Sequence, residues 1–336
     1  MVKKIYFQIL YSYRRFAICD LLLLLFFLFA NSSFSQSTEL SDFGSNPGNL
    51  RGYIHSPKNL SDSLKYPLVI ALHGCTQNAN EIEEQSGWSV LADSHQFYVL
   101  YPEQKRINNA NNCFNWFFKG DCTKDKGEVA SIHQMMEKMC DSLNVDTSRV
   151  FIYGLSAGAL MSVSFAACYP DELKCCASLA GGAYTGGLKP GKGLANMIKP
   201  EEQTPQQLAV KVKKQNPGYS GNYPGLIVLH GMEDKVVNYN NSLELIKQWQ
   251  GLHDEKLVEL KFESGLGKGK GFSRKIFGYP EAEFGEIVFY TFYDGGHTLP
   301  VDPGTGNKQG GKTGMFANDM DFFSTWYIAK DFGLLK

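Results

Sequence analysis

The sequence predicts an α/β protein: a mostly parallel, doubly wound sheet with helices on both faces. Three observations carry this reading. After its leader the chain alternates short apolar runs with amphipathic ones. Several of the apolar runs are apolar at consecutive positions, as parallel strands covered on both faces must be. The run "VFIYG" then gives way, at Gly-Leu-Ser-Ala-Gly (154–158), to small residues that suit a helix.

Taken in order, the predicted strands are "YPLVIALHG" (66–74), "FYVLYPEQ" (97–104), "RVFIYG" (149–154), "CCASLAG" (175–181), "GLIVLHG" (225–231) and "GEIVFYTFYDGG" (285–296). Helices are predicted over 80–94, 128–143, 157–169, 242–252 and 316–330. Strand, helix, strand repetition implies right-handed crossovers. Two Gly/Asn/Lys-rich stretches, 108–127 and 181–207, break the rhythm directly after strands, where open α/β sheets build their sites.

The first residues read as an export signal. Lys3, Lys4, Arg14 and Arg15 precede the apolar block "LLLLLFFLFA" (21–30), and the small polar stretch "NSSFSQ" follows it. The block is short for a membrane span. Cleavage after Ser35 would leave residues 36–336 as one domain, released to a periplasm or the medium and no longer held at the membrane. A formal net charge of −1 gives no electrostatic footprint for nucleic acid, so the expected partner is a small molecule or a neutral polymer.

Cys75, Cys113, Cys122, Cys140, Cys168, Cys175 and Cys176 follow the leader, an odd number, so at least one stays unpaired. Export makes disulfides reasonable. No Cys-x-x-Cys pair is matched by a second one, so neither a metal site nor any other cofactor is expected.

The pentapeptide matches G-x-S-x-G, in which a serine on a tight strand-to-helix turn is lifted clear of the backbone. Any side chain at Gly154 or Gly158 would strike the neighbouring helix or strand in so sharp a turn. A serine hydroxyl is a poor nucleophile at neutral pH. It needs a histidine to take its proton and an acid to hold that histidine, in the order serine, acid, histidine.

Of seven histidines, only His230, His253 and His297 follow Ser156. His230 ends a predicted buried strand and reads as a structural turn residue; His253, in a polar stretch at a helix end, reads as solvated. His297 lies in "YDGGHTLP" after the last strand, where two glycines let the loop bring the imidazole back over the sheet edge. It is the expected base. The acid should leave the loop after "GLIVLHG": Asp234 is preferred, with Glu233 and Asp294 as alternatives. Two N–H groups must meet the charge that develops on a carbonyl oxygen, and these are expected from Ala157 and from Cys75 in "LHGCTQNA".

Together "LHGCTQNA", "VLYPEQ", "CFNWF", "DTSRVFIYGLSAGALMS", "YPDELK", "HGMEDKVV" and "GGHTLP" resemble the polyhydroxybutyrate depolymerase and feruloyl esterase family of exported α/β-hydrolases, collinearly over about residues 50–330. The resemblance implies a triad of Ser156, Asp234 and His297 with N–H donors at Cys75 and Ala157. It also implies a Cys75–Cys113 bridge and places Asn115 and Trp116 on the pocket rim. Relatives commonly carry tryptophan two residues after the histidine; here Leu299 stands at that substrate-binding position.

The expected activity is that of a metal-independent serine esterase. Its substrate would be a hydroxyalkanoate polyester or oligomer, with a feruloyl or acetyl ester on plant polysaccharide, or a general short-chain ester, as alternatives. A binding protein that has lost activity on the same fold is the reading from a different class.

Overall fold

The consecutive apolar runs make the middle of one twisted sheet. The structure is a computed structural model and describes residues 37–254, 256–265, 269–281 and 286–335. The expected leader, 1–35, lies outside the described residues, and the described chain falls in the unit Ser37–Lys336.

The chain enters through a short strand β1 (Thr38–Glu39), β2 (Arg51–His55) and the fully buried β3 (Tyr66–Leu72). Helices α1 (Ala79–Ser86) and α2 (Trp88–His95) lead into β4 (Tyr98–Glu103). One continuous helix was expected over 80–94. Gly87, at φ 70°, ends α1 instead by donating its N–H to the Glu83 carbonyl, and α2 starts directly after it.

Next come α3 (Gly127–Ser142), β5 (Val145–Leu155), α4 (Ala157–Cys168) and β6 (Cys175–Leu179). The stretch 181–207, expected to be irregular, holds α5 (Pro190–Ile198) and the start of α6 (Pro205–Lys213). Both open on a proline, and Thr204 and Gln207 cap α6 reciprocally. The signal Thr-Pro-x-Gln was legible in the sequence.

After β7 (Gly225–Gly231) and α7 (Asn240–Leu252) the chain adds an edge hairpin, β8 (Val258–Gly265) and β9 (Phe272–Gly278), and then β10 (Ile287–Phe292). The last elements are β11 (Leu299–Val301), β12 (Ala317–Asp319) and α8 (Ser324–Asp331). The helix expected over 316–330 begins late because 317–319 pairs with 299–301 as a parallel ladder.

Among the described residues the main sheet has ten strands in the order β1-β2-β4-β3-β5-β6-β7-β10-β9-β8. The block from β4 to β10 is parallel, and the strands outside it are antiparallel. Side chains alternate between two cores. Leu68, Ile70, Leu72, Val150 and Ile152 face α3, α4, α6 and α7, while Val69, Ala71, Phe151 and Tyr153 face α1, α2 and α8. Each fully buried aliphatic side chain contributes roughly 1.5–3 kcal/mol of transfer free energy. This two-sided burial explains why the central strands read as unbroken apolar runs, and it aligns the carboxyl ends of β3, β5, β7 and β10 along one edge.

Candidate active site

Ser156 sits between β5 and α4 with φ 55° and ψ −116°, a conformation L-residues seldom adopt. The flanking glycines explain how the turn closes. A Cβ on Gly154 would lie 2.3 Å from the carbonyl of Gly158, and one on Gly158 would lie 2.5 Å from the carbonyl oxygens of Leu72 and His73. The serine N–H donates to the Leu179 carbonyl at 2.9 Å, which ties the turn to β6.

Two loops converge on its hydroxyl. His297 Nε2 lies 2.8 Å from Ser156 Oγ, and His297 Nδ1 lies 2.8 Å from Asp234 Oδ2. The approach of these loops depends on Gly231, where an added Cβ would stand 2.1 Å from the Gly295 carbonyl oxygen. Glu233 donates its N–H to that same oxygen at 3.0 Å.

The Asp234 carboxylate is saturated with donors. Its Oδ1 accepts the N–H groups of Val236 (2.8 Å) and Val237 (2.9 Å), while Oδ2 faces His297 and, at 3.2 Å, His230 Nε2. Burial pushes this carboxyl upward, but the hydrogen bonds and charges of His230 and His297 outweigh it and hold it well below the usual carboxylate range. The alternatives for the acid turn elsewhere: Asp294 Oδ2 accepts the Lys270 N–H at 2.9 Å, and Glu233 Oε1 lies 3.7 Å from Lys270 Nζ.

The loop after β3 abuts the serine, since a Cβ on Gly74 would be 3.5 Å from Ser156 Cβ. Among the described residues its turn bonds start from the N–H groups of Gly74, Thr76 and Gln77 and leave that of Cys75 unused. Ala157 opens α4, so the helix ladder supplies no partner for its N–H. Cys75 and Cys113 form a disulfide, the bridge implied by the resemblance; Cys122, Cys140, Cys168, Cys175 and Cys176 are free thiols.

Behind the loop lies a buried polar lattice. His73 Nε2 must accept, because the Gln104 N–H donates to it at 3.1 Å, so Nδ1 carries the proton given to the Gly74 carbonyl at 2.7 Å. Full burial holds this imidazole down to about 4. Gln104 Nε2 also donates to Glu128 Oε1, and Asn115 gives that carboxylate its backbone N–H (2.7 Å) and its side-chain amide (2.8 Å).

The residues expected on the pocket rim lie in and beside this lattice. Asn115 and Trp116 are each only 5% exposed: the amide of Asn115 is committed to Glu128, and the Trp116 ring packs edge-on against Phe117 at 5.4 Å. The exposed aromatic of that segment is Phe118. Leu299, expected at a substrate-binding position, is fully buried in β11 and packs the core. The aromatic ring beside the His297 imidazole is Phe316, edge-on at 6.1 Å. His253, expected to be solvated, is buried with Nδ1 3.0 Å from the Tyr279 hydroxyl, and burial lowers its pKa.

Sequence reasoning missed the place of His230, treated as a turn residue, and the whole Glu128 lattice. The first had a signal in the four-residue spacing to Asp234. The second joins residues far apart in the chain and had none.

A mostly parallel sheet of this strand order, with a strained serine turn after β5 and acid and histidine loops after β7 and β10, defines an α/β-hydrolase. A family model described as "Esterase PHB depolymerase" matches residues 56–256, and the chain belongs to that family of carboxylic ester hydrolases. Among curated relatives, "Poly(3-hydroxyalkanoate) depolymerase C" of Paucimonas lemoignei is 38% identical over 308 residues, covering 91% of this chain and 72% of its own. "Feruloyl esterase B" of Talaromyces stipitatus is 28% identical, covering 84% of this chain and 77% of its own. In fold the chain is similar to the acetyl xylan esterase from Aspergillus awamori, with a TM-score of 0.69, 24% identity, and coverage of 78% of this chain and 94% of that one. Among the described residues no helix is long and apolar enough to cross a membrane.

Proposed function

We propose that this protein is an exported serine esterase that cleaves hydroxyalkanoate polyester or its oligomers through an acyl-enzyme. The observation that carries the chemistry is the pair of 2.8 Å contacts linking Ser156 Oγ to His297 Nε2 and His297 Nδ1 to Asp234 Oδ2. Ser156 Oγ attacks the ester carbonyl carbon as His297 Nε2 takes its proton. The N–H groups of Cys75 and Ala157 receive the oxyanion of the tetrahedral intermediate. When the intermediate collapses, the carbon–oxygen bond to the alcohol breaks and the alcohol leaves with the proton from Nε2. A water, deprotonated by the same nitrogen, then attacks the acyl carbon; the bond from that carbon to Ser156 Oγ breaks, Nε2 returns the proton to Oγ, and the acid leaves. Asp234 orients the imidazole and stabilises its positive charge.

The polyester reading is supported by the 38% identity to the Paucimonas lemoignei depolymerase, against 28% for feruloyl esterase B of Talaromyces stipitatus. Export is supported by the basic and apolar order of the first 35 residues. The test compares 3-hydroxybutyrate oligomers, methyl ferulate and acetylated xylan as substrates for the wild type and Ser156→Ala. The expected result is preferential cleavage of the oligomers by wild type alone. Preference for ferulate or acetylxylan would reassign the substrate, and equal rates for wild type and variant would remove the serine mechanism.

A further inference from the structure

The proposed mechanism leaves one buried imidazole at the site without a task. His230 stands at the carboxyl end of β7, in register with Thr291 of β10, and its side chain is fully buried. Its Nε2 lies 2.8 Å from the Val237 carbonyl oxygen and 3.2 Å from Asp234 Oδ2. A carbonyl oxygen can only accept, so Nε2 carries the proton, and the same N–H is shared with the carboxylate.

Asp234 Oδ2 thus takes hydrogen bonds from two imidazoles, one on the sheet and one on the loop that reaches Ser156. Oδ1 is fixed by the Val236 and Val237 N–H groups. His230 is itself held from three sides: by its strand, by the Val237 carbonyl, and by the Tyr239 ring, which lies edge-on at 5.8 Å with its hydroxyl bonded to Thr291 at 2.9 Å. Among the described residues the titratable groups facing His230 are Asp234, from the loop after β7, and Tyr239, just before α7; His297, from the loop after β10, faces Asp234 in turn.

We propose that His230 is a positioning residue of the esterase: its Nε2–H fixes the plane of the Asp234 carboxylate toward His297 and disperses part of its charge. The proposal rests on the reading of Ser156, His297 and Asp234 given above. Its sign follows from competition at Oδ2. Without the His230 N–H, the carboxylate puts more negative charge on the bond to His297 and holds the protonated imidazole more tightly. The base is then free only at higher pH, so the acid limb of kcat/KM moves upward. A residue that merely fills space would lower activity at every pH and leave the limb in place.

The experiment uses the full chain with a soluble short-chain ester, following kcat/KM from pH 4.5 to 9 for wild type, His230→Phe, His230→Gln and His230→Asn. Phenylalanine keeps a flat ring without the donor, glutamine sets an amide N–H near the place of Nε2, and asparagine stops short of it. The expected result is an acid limb raised by about one pH unit in His230→Phe, costing about tenfold at the acid end, and restored by glutamine but not by asparagine. An unmoved limb in folded His230→Phe, or glutamine no better than asparagine, overturns the proposal. If His230→Phe does not fold, the glutamine and asparagine pair decides alone. Ser156→Ala is assayed in parallel: full activity there sinks the serine reading itself, whereas an inactive Ser156→Ala with an unmoved limb sinks only the role of His230.

Discussion

Asp234 and Glu128 are both carboxylates removed from water and met by N–H donors, yet their environments drive them in opposite directions. Asp234 receives two backbone N–H groups and two imidazoles, and it is held well below the usual carboxylate range. Glu128 receives three N–H groups from Asn115 and Gln104, yet burial, reinforced by the charge of nearby Asp121, pushes it up to about 8. The number of donors does not separate the two. What differs is the charge nearby: imidazoles that can become cationic stand beside one carboxylate, and a second acid stands beside the other. The first environment suits a group that stabilises positive charge on a neighbour during a reaction. The second suits one that holds together two loops behind the site.

The sharpest way to break the comparison is to neutralise each carboxylate in turn. Asp234→Asn should lower kcat/KM about ten-thousand-fold while the fold is retained, since the amide offers His297 the wrong partner. Glu128→Gln should cost far less, because its donors belong to the loop lattice and not to the reacting groups. Steady-state kinetics with circular dichroism read both, and comparable losses would erase the distinction.

Gly231→Ala tests how the acid and histidine loops are brought together. A methyl group 2.1 Å from the Gly295 carbonyl oxygen must push the loops apart. We expect destabilisation of about 1–3 kcal/mol in urea unfolding, with a larger fractional loss of activity than of stability. Removing the disulfide with Cys75→Ala and Cys113→Ala together frees the loop that carries the proposed oxyanion donor, and should cost about 2–4 kcal/mol.

The dependence of stability on pH separates the two carboxylates by sign. Glu128 binds its proton more tightly folded than unfolded, so its contribution is complete below pH 4.5 and is lost as pH rises through about 8. Asp234 binds its proton more weakly when folded, so its contribution is present above 3.8 and is lost as pH falls below it. Glu128→Gln should therefore flatten the decline of stability between pH 4.5 and 8, measured by urea unfolding at fixed ionic strength. An unchanged slope would place Glu128 in the ordinary carboxylate range.

The sequence made the centre of the molecule legible because physical demands there are local. Strands buried on both faces must be apolar at every position, and a strained serine turn needs glycine on each side, so β3 to β7, β10 and Ser156 could be read directly. The edge hairpin could not: Val258–Gly265 is largely exposed and rich in Lys and Glu, which resembles a loop until pairing with β9 and β10 is known. The same division runs through the site. Asp234 and His297 followed from their places after strands, whereas the packing around Asn115, Trp116 and Leu299 did not. Their roles depend on Glu128 and on the β11–β12 pair, contacts that no short segment of sequence reveals.

On the proposed mechanism the oxygen of Ser156 becomes the acyl carrier because His297 removes its proton. Mass spectrometry of the protein after treatment with a fluorophosphonate ester tests this directly. Wild type should carry one phosphonyl group on the peptide that holds Ser156, and His297→Ala almost none at equal exposure. Labelling at another residue, or equal labelling of Ser156 in both proteins, would contradict it.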